Sequence, residues 1–177
     1  MLNNVSKQNS KTKKVEINIK LEKFTENDFT HYFQLVNDEK VMEMITERAL
    51  ETDEAKADFD KQILNNKLSE NLGNFKILDS ATKEFIGLAK IEIKAKDNQE
   101  AEIGYMILPK FWGKGIASKV GKQLIEIAKS QEEINRLFAI IDPKNLPSRK
   151  ILINNGFVSK EFKDFDGLPG EILELTL

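Results

Sequence analysis

Four apolar residues, Val15, Ile17, Ile19 and Leu21, alternate with Glu16, Asn18, Lys20 and Glu22. A period of two predicts a half-buried strand. The period then changes to that of a helix. Thr25 stands at a candidate N-cap, Asp28 at its capping-box position, and Phe29, Tyr32, Phe33 and Val36 form one stripe. Residues 37–50 predict short helix and loop. Thr52 is expected to cap another helix, with Asp53 and Glu54 in the first turn and Ala55, Phe59 and Ile63 on the buried side. Residues 74–78 and 84–94 read as the arms of a hairpin around a polar turn at 79–83. A strand over 101–108 is closed by Pro109, which has no N–H for a ladder. From Ile116, apolar residues at Ala117, Val120, Leu124, Ile127 and Ala128 return to helical spacing. The unbroken apolar run 137–141 suits a strand covered on both faces. Asn145 is a candidate cap with Pro147 in the first turn, and Asn155-Gly156 is a helix stop. Residues 157–163 and 171–177 predict two last strands across a turn at 167–170.

The sum is a mixed α/β layer with a largely antiparallel sheet of six to seven strands and about four helices. One domain over 15–177 is expected, behind a mobile, Asn-, Ser- and Lys-rich tail at 1–14. The chain of 177 residues has no cysteine, which excludes disulfides and thiol nucleophiles. Its single histidine and the lack of clustered ligands argue against a metal. No apolar run approaches the ~20 residues needed to span a bilayer, and no apolar leader opens the chain. A cytoplasmic protein is therefore expected, as monomer or homodimer, without membrane or nucleic-acid partners.

One stretch carries candidate chemistry. Gly113 and Gly115 lie between the strand at 101–108 and the helix that follows, and Lys110, Lys114, Lys119 and Lys122 surround them. No acid falls between Glu102 and Glu126, in a chain of net charge −2. A glycine loop at a helix N-terminus presents unpaired N–H groups and a positive dipole end, which suits a polyanion such as a diphosphate. Ordinary turn chemistry would use the same glycines. Two named anion loops fit poorly: a dinucleotide fingerprint would need glycine where Ser118 stands, and a triphosphatase loop would need Ser or Thr after Gly113-Lys114.

The string Lys110-Phe111-Trp112-Gly113-Lys114-Gly115 resembles the Arg/Gln-x-x-Gly-x-Gly/Ala loop of the GNAT superfamily of acyl-CoA-dependent N-acetyltransferases, with Lys at the first position. Glu102-Ile103-Gly104-Tyr105, Trp112-Gly113-Lys114-Gly115, Asn145-Leu146-Pro147-Ser148 and Gly156-Phe157 together resemble the branch of ribosomal-protein N-terminal acetyltransferases. The resemblance covers nearly everything after the tail. It implies a splayed central strand, acetyl-CoA as co-substrate, and an amine acceptor: a peptide or protein N-terminus, or else a small amine such as a polyamine or aminoglycoside. A binding module that holds acyl-CoA without turnover is the third reading.

On that resemblance the diphosphate is expected on the loop from Trp112 through Gly113, Lys114 and Gly115 to Ile116 and Ala117, aided by Lys110. The backbone of Met106, Ile107 and Leu108 is expected to hold the pantetheine arm, with the splay beginning after Tyr105. Glu102 is the candidate base, or a solvated strand carboxylate. The Tyr that many relatives place seven residues after the Asn is here Leu152, so Ser148 and Tyr105 are the candidate proton donors. Ser148 is read equally as a first-turn helix residue. Asn145 caps its helix or bonds the pantetheine arm. Phe29, His31, Tyr32 and Phe33 are candidates for holding the acceptor, His31 also being read as a surface residue. Acids from Glu39 to Glu54 would attract a cation there, or are solvated helix faces.

Overall fold

The alternation at the start of the chain becomes strand β1 (Ile19–Lys23), which pairs antiparallel with β2 (Gly73–Asp79). The computed structural model describes residues 16–177, and the expected tail at 1–14 lies outside them. The predicted hairpin joins β2 to β3 (Phe85–Glu92), and β4 (Glu100–Ile107) runs antiparallel beside β3. β5 (Arg136–Ile141) then lies parallel to β4. The last hairpin, β6 (Val158–Phe165) and β7 (Leu168–Thr176), inserts β7 next to β5 and leaves β6 at the edge. The order is β1-β2-β3-β4-β5-β7-β6, a seven-stranded sheet in which β4 and β5 form the parallel pair. This is the mixed, largely antiparallel sheet that the patterning predicts.

Among the described residues five α-helices accompany the sheet: α1 (Phe29–Val36), α2 (Glu39–Met42), α3 (Thr52–Asn65), α4 (Ile116–Lys129) and α5 (Leu146–Asn154). The short helix expected within residues 37–50 is α2, a single turn begun by Asp38, whose carboxylate accepts the N–H groups of Lys40 and Val41. Thr52 is the first residue of α3 rather than its cap, and Glu51 takes the extended cap position. β7 begins three residues earlier than the composition suggests. Only Glu171–Thr176 pairs with β5, so Pro169 faces β6 alone, where a missing N–H is tolerated.

Directly paired residues share a face of the sheet. Leu21, Ile77, Gly87 and Ile107 align on one face, with Ala89, Tyr105, Ile91 and Ile103 beside them. That face meets α4, whose Lys122, Gln123, Glu126 and Ile127 share a surface groove with Leu21. Lys76, Leu88 and Met106 align on the other face, as do Asn74, Lys90 and Gly104. There Phe24 meets Phe59 of α3 edge-on, at 5.9 Å between ring centroids, and Lys76 bonds Asp28 at the head of α1. Phe59, Leu35, Ile77, Ile91, Leu124 and Leu137 are wholly buried. Such side chains contribute about 1.5–3 kcal/mol each relative to exposure. Gly87 is a contact requirement: a Cβ there would stand 2.1 Å from the Met106 carbonyl oxygen, so only glycine lets β3 and β4 close at this point.

Candidate active site

β4 and β5 run together for only three residue pairs, Glu100 with Arg136, Ala101 with Leu137, and Glu102 with Phe138. Both strands continue, β4 to Ile107 and β5 to Ile141, without pairing further. The splay is therefore present and opens after Glu102, three residues before the expected point at Tyr105. Leu108 donates its N–H to Ile86 at 2.9 Å. Since donors alternate along an antiparallel pair, Glu102, Gly104, Met106 and Leu108 turn their main chain to β3, and Ile103, Tyr105 and Ile107 turn theirs to the gap. This corrects the expectation for Met106 and Leu108. The Leu108 carbonyl is also engaged, by the Phe111 N–H. Ile103, Tyr105 and Ile107 are thus the residues whose main chain faces the gap. The indole N–H of Trp112 donates to the Ile107 carbonyl at 2.6 Å and folds the loop back over the strand end.

A 3-10 turn at Pro109–Phe111 leads into that loop. Gly113 and Gly115 have φ of +71° and +76°, a region costly for residues with a Cβ, and no atom lies within 4 Å of where either Cβ would be. Gly115 is the N-cap of α4. The N–H groups from Gly113 through Lys114, Ile116 and Ala117 to Ser118 donate to no backbone carbonyl among the described residues. The open space over two glycines and this row of donors fit a diphosphate. The Trp112 N–H is excluded from the row, because it donates to Pro109. Lys110 differs from expectation too: its ammonium pairs with Glu84 at 2.6 Å and lies over the Phe111 ring. Lys119 turns away to Glu16 and the Ile17 carbonyl, Lys114 shares the Phe111 ring with Lys110 at 5.1 Å, and Lys122 is the loop cation without such a contact among the described residues.

On the α4 face, Tyr105 and Ser148 come together. Burial pushes the Tyr105 phenol up, and the Ser148 hydroxyl beside it works in the opposite direction. The Tyr105 hydroxyl is buried and completes no hydrogen bond of good geometry with any described residue. Ser148 is placed by α5, where its N–H donates to the Asn145 side chain at 3.2 Å. That bond engages Asn145 Oδ1 and leaves its Nδ2 to reach another group. The next residue ties α5 to β7: Arg149 Nε donates to both carboxylate oxygens of the fully buried Glu171, at 3.1 and 2.9 Å.

Glu102 lies on the opposite face of β4, three residues from Tyr105 and so on the other side of the pleat. It is not a free carboxylate. Lys90 reaches it at 2.7 Å and Glu92 at 3.4 Å. Burial works against the Lys90 charge, but Glu102 and Glu92 outweigh it and hold its pKa above the usual value. Gly104 makes this possible, since the Lys90 stem crosses it and a Cβ would sit 3.0 Å from Lys90 Cε.

The candidate acceptor residues separate. Phe29 and Phe33 stack at 5.7 Å, both partly buried against the core, Phe29 also meeting Phe59. His31 lies 4.6 Å from the Phe85 ring, with Nδ1 3.7 Å from Asp28. Tyr32 is not a pocket wall. It is 1% exposed, and its hydroxyl donates to Asp58. Burial, then Asp58, raises its pKa. Lys90 and Glu92 are the residues that sequence reasoning missed here.

A family profile described as Acetyltransferase (GNAT) domain matches residues 18–158. The "Uncharacterized N-acetyltransferase p20" of Bacillus licheniformis is 31% identical over 118 residues. That match takes in 66% of this chain and 66% of the relative, just under two thirds of its length. Among solved structures, an acetyltransferase (GNAT family) from Bacillus anthracis superposes with a TM-score of 0.73 at 18% identity, over 89% of this chain and 94% of that one. A spermidine N-acetyltransferase from Vibrio cholerae, in complex with CoA and spermine, does so with a TM-score of 0.73 at 20% identity, over 89% and 95%.

Proposed function

Because the chain belongs to the GNAT acetyltransferase family, we propose that it transfers an acetyl group from acetyl-CoA directly to a primary amine, the α-amine of a peptide or protein N-terminus. The observation that carries this reading is the gap between β4 and β5, with the donor row of the glycine loop at one end, Tyr105 and Ser148 on one face and Glu102 on the other.

Each group has a task in that arrangement. The N–H groups from Gly113 to Ser118 hold the diphosphate, and the main chain of Ile103, Tyr105 and Ile107 pairs with the pantetheine amides. Acetyl-CoA supplies the activated acyl group as a thioester. An N–H in the gap faces the thioester oxygen as negative charge develops there, a contribution of about 3 kcal/mol in related acyl chemistry. The amine nitrogen forms the new bond to the acyl carbon as the carbon–sulfur bond breaks. The amine proton passes to Glu102, directly or through one water, and the thiolate is met by Tyr105 or Ser148. A phenol with a raised pKa keeps its proton at neutral pH and so remains a donor.

The ion pair at Glu102 bears on the acceptor. Lys90 fixes the Glu102 carboxylate in place at 2.7 Å. An α-amine is about one-tenth neutral at pH 7, whereas a lysine amine is neutral to about one part in several thousand, a difference of roughly 3 kcal/mol in apparent barrier. A modest base suffices for the former. A small amine is the second reading, supported by the spermidine N-acetyltransferase among the structural neighbours. A thiol-release assay over peptides and small amines, run with acetyl-CoA thermal shifts, tests both. Release with a free peptide N-terminus and none with its N-acetylated form is the expected result. Stabilisation by acetyl-CoA without release from any amine would instead make the protein a binding module.

A further inference from the structure

α3 turns more than its apolar stripe toward the sheet. Asp58, Gln62 and Asn65, at helical spacing, form a polar stripe beside Phe59 and Ile63. Asp58 accepts the Tyr32 hydroxyl and, at 3.3 Å, the Gln62 amide. Asn65 donates to the Ile93 carbonyl at the end of β3. On the facing strands, Asn74 donates to Glu92 at 2.7 Å, and Glu92 and Glu102 share Lys90. The Asn65 bond at 2.9 Å lands on the residue after Glu92, so the polar stripe of α3 and the strand residues form one seam.

Three of the four buried side-chain polar atoms that lack a partner among the described residues lie in this seam: Gln62 Oε1, Asn65 Oδ1 and Asn74 Oδ1. All three are acceptors. Asn74 is the sharpest case, being 1% exposed. Its amide cannot be turned round, because that would set its oxygen against the Glu92 carboxylate. Burying an unmet acceptor is costly, and here the cost recurs within one seam. The charges lean the same way. Glu92 and Glu102 face the single ammonium of Lys90, Asp58 is engaged by Tyr32 and Gln62, and Lys76 nearby is committed to Asp28. The seam reaches solvent, since the side chains of Glu92, Glu102 and Lys90 are 21%, 25% and 29% exposed. Acceptors alone, a surplus of carboxylates and an open mouth match a group that only donates and carries positive charge.

We infer that the seam is an ammonium subsite: the acceptor carries a second, protonated nitrogen, which Glu92 and the amide oxygens of Asn74 and Gln62 receive while the reacting nitrogen stands at Glu102. This rests on the amine-acetylating function proposed above, and it narrows the acceptor to amines bearing two nitrogens. The second nitrogen belongs either to a polyamine or to a lysine side chain near a peptide N-terminus.

Two matched pairs of acceptors distinguish the sources: 1,4-diaminobutane against 1-aminobutane, and a Ser-Lys peptide against the same peptide with norleucine in place of Lys. For the full chain, kcat/KM is expected to favour the charged member of at least one pair by tenfold or more. In Glu92→Gln, which keeps an acceptor for Asn74, that ratio is expected to fall toward one, and Gln62→Leu should lower it less. A ratio near one in the wild type, or one unchanged in a folded Glu92→Gln, overturns the inference while leaving acetyl transfer intact. If no amine is acetylated, the proposed function fails instead, and the subsite is read from binding alone. A melting temperature raised by 1,4-diaminobutane in the wild type but not in Glu92→Gln then supports it, and equal shifts overturn it.

Discussion

The two faces of β4 are built from the same eight residues and have little else in common. On one, Ala101, Ile103, Tyr105 and Ile107 continue the apolar surface beneath α4, interrupted only by the Tyr105 hydroxyl next to Ser148. On the other, Glu102 and Gly104 lie among Lys90, Glu92 and Asn74. A strand paired on both sides would keep these surfaces apart. Here the ladder to β5 ends at Glu102, so the gap connects a donor face to a carboxylate face. In the proposed reaction the co-substrate is held from the first and the amine arrives at the second. Substitutions on the two faces should therefore move different kinetic constants.

The largest effect is expected where the co-substrate enters. Gly115→Val puts a β-branched side chain at φ of +76° and into the open space over the donor row. It should weaken acetyl-CoA binding by at least ~100-fold, loss of one or more diphosphate bonds at ~1.5–3 kcal/mol each adding to the strain. Gly167→Val separates strain from blockage. Gly167 has φ of +92° with equally open space, but sits in the β6–β7 turn. It should lower stability and leave acetyl-CoA affinity alone. Calorimetric titration of both variants checks this, and equal affinities for Gly115→Val and the wild type would remove the loop from the site.

Next in size is the carboxylate face. Glu102→Gln should lower kcat by roughly 100-fold at pH 7 through loss of general-base help. The deficit should shrink above about pH 8, where an α-amine is neutral without assistance. The KM for acetyl-CoA should stay within about twofold, as expected for a group that meets the acceptor after the co-substrate is held. A deficit that is constant from pH 6 to pH 10 would mean that the variant only disturbs the Lys90 network.

The Tyr105 face should respond more weakly, because two hydroxyls share one role. Ser148→Ala is expected to slow turnover about tenfold with acetyl-CoA affinity retained. Its cap bond is made by the main-chain N–H, which alanine keeps. Full activity would assign the donor role to Tyr105 alone, and Tyr105→Phe in the same background would show whether the pair acts together.

Much of this comparison could be anticipated from the chain, and the missing parts share a cause. The elements were legible because alternation in β1, the stripe of α4 and the Asn145-Pro147 start of α5 are local patterns. So was the glycine loop, since positive φ and a helix N-terminus are properties of a few consecutive residues. The parity of β4 was not. Whether Met106 or Tyr105 turns its main chain to the gap depends on register with β3, and shifting the hydrogen-bonding phase by one residue exchanges them. Lys110 and Lys119 looked like loop cations because they are near in sequence, yet each reaches an acid far along the chain. Lys90 was missed for the same reason in reverse, as its contact with Glu102 exists only across paired strands. One signal was available and unused: Asp58, Gln62 and Asn65 repeat at helical spacing directly beside a narrow apolar stripe.

The smallest expected effect concerns what holds Ser148 in place. Burial pushes the Glu171 carboxyl up, but its bonds from Arg149 and Ser159 outweigh this and leave the pKa below the ordinary value. A group whose folded pKa is depressed stabilises the fold fully above its unfolded pKa, near 4.3 for Glu, and loses that contribution as pH falls through the folded value. Wild-type melting temperature should therefore drop on acidification below about pH 4.3 more steeply than that of Glu171→Gln, which has no such proton to take up. At pH 7 the variant should melt about 2–4 °C lower, since Arg149 loses its partner but is 40% exposed and can turn to water. Parallel melting curves from pH 7 to pH 3 would show that the pair contributes no net acid dependence. If the tether matters only for stability, kcat at 25 °C should be unchanged in the same protein. A fall in kcat would mean that Glu171, from the far side of α5, sets where the Ser148 hydroxyl meets the gap.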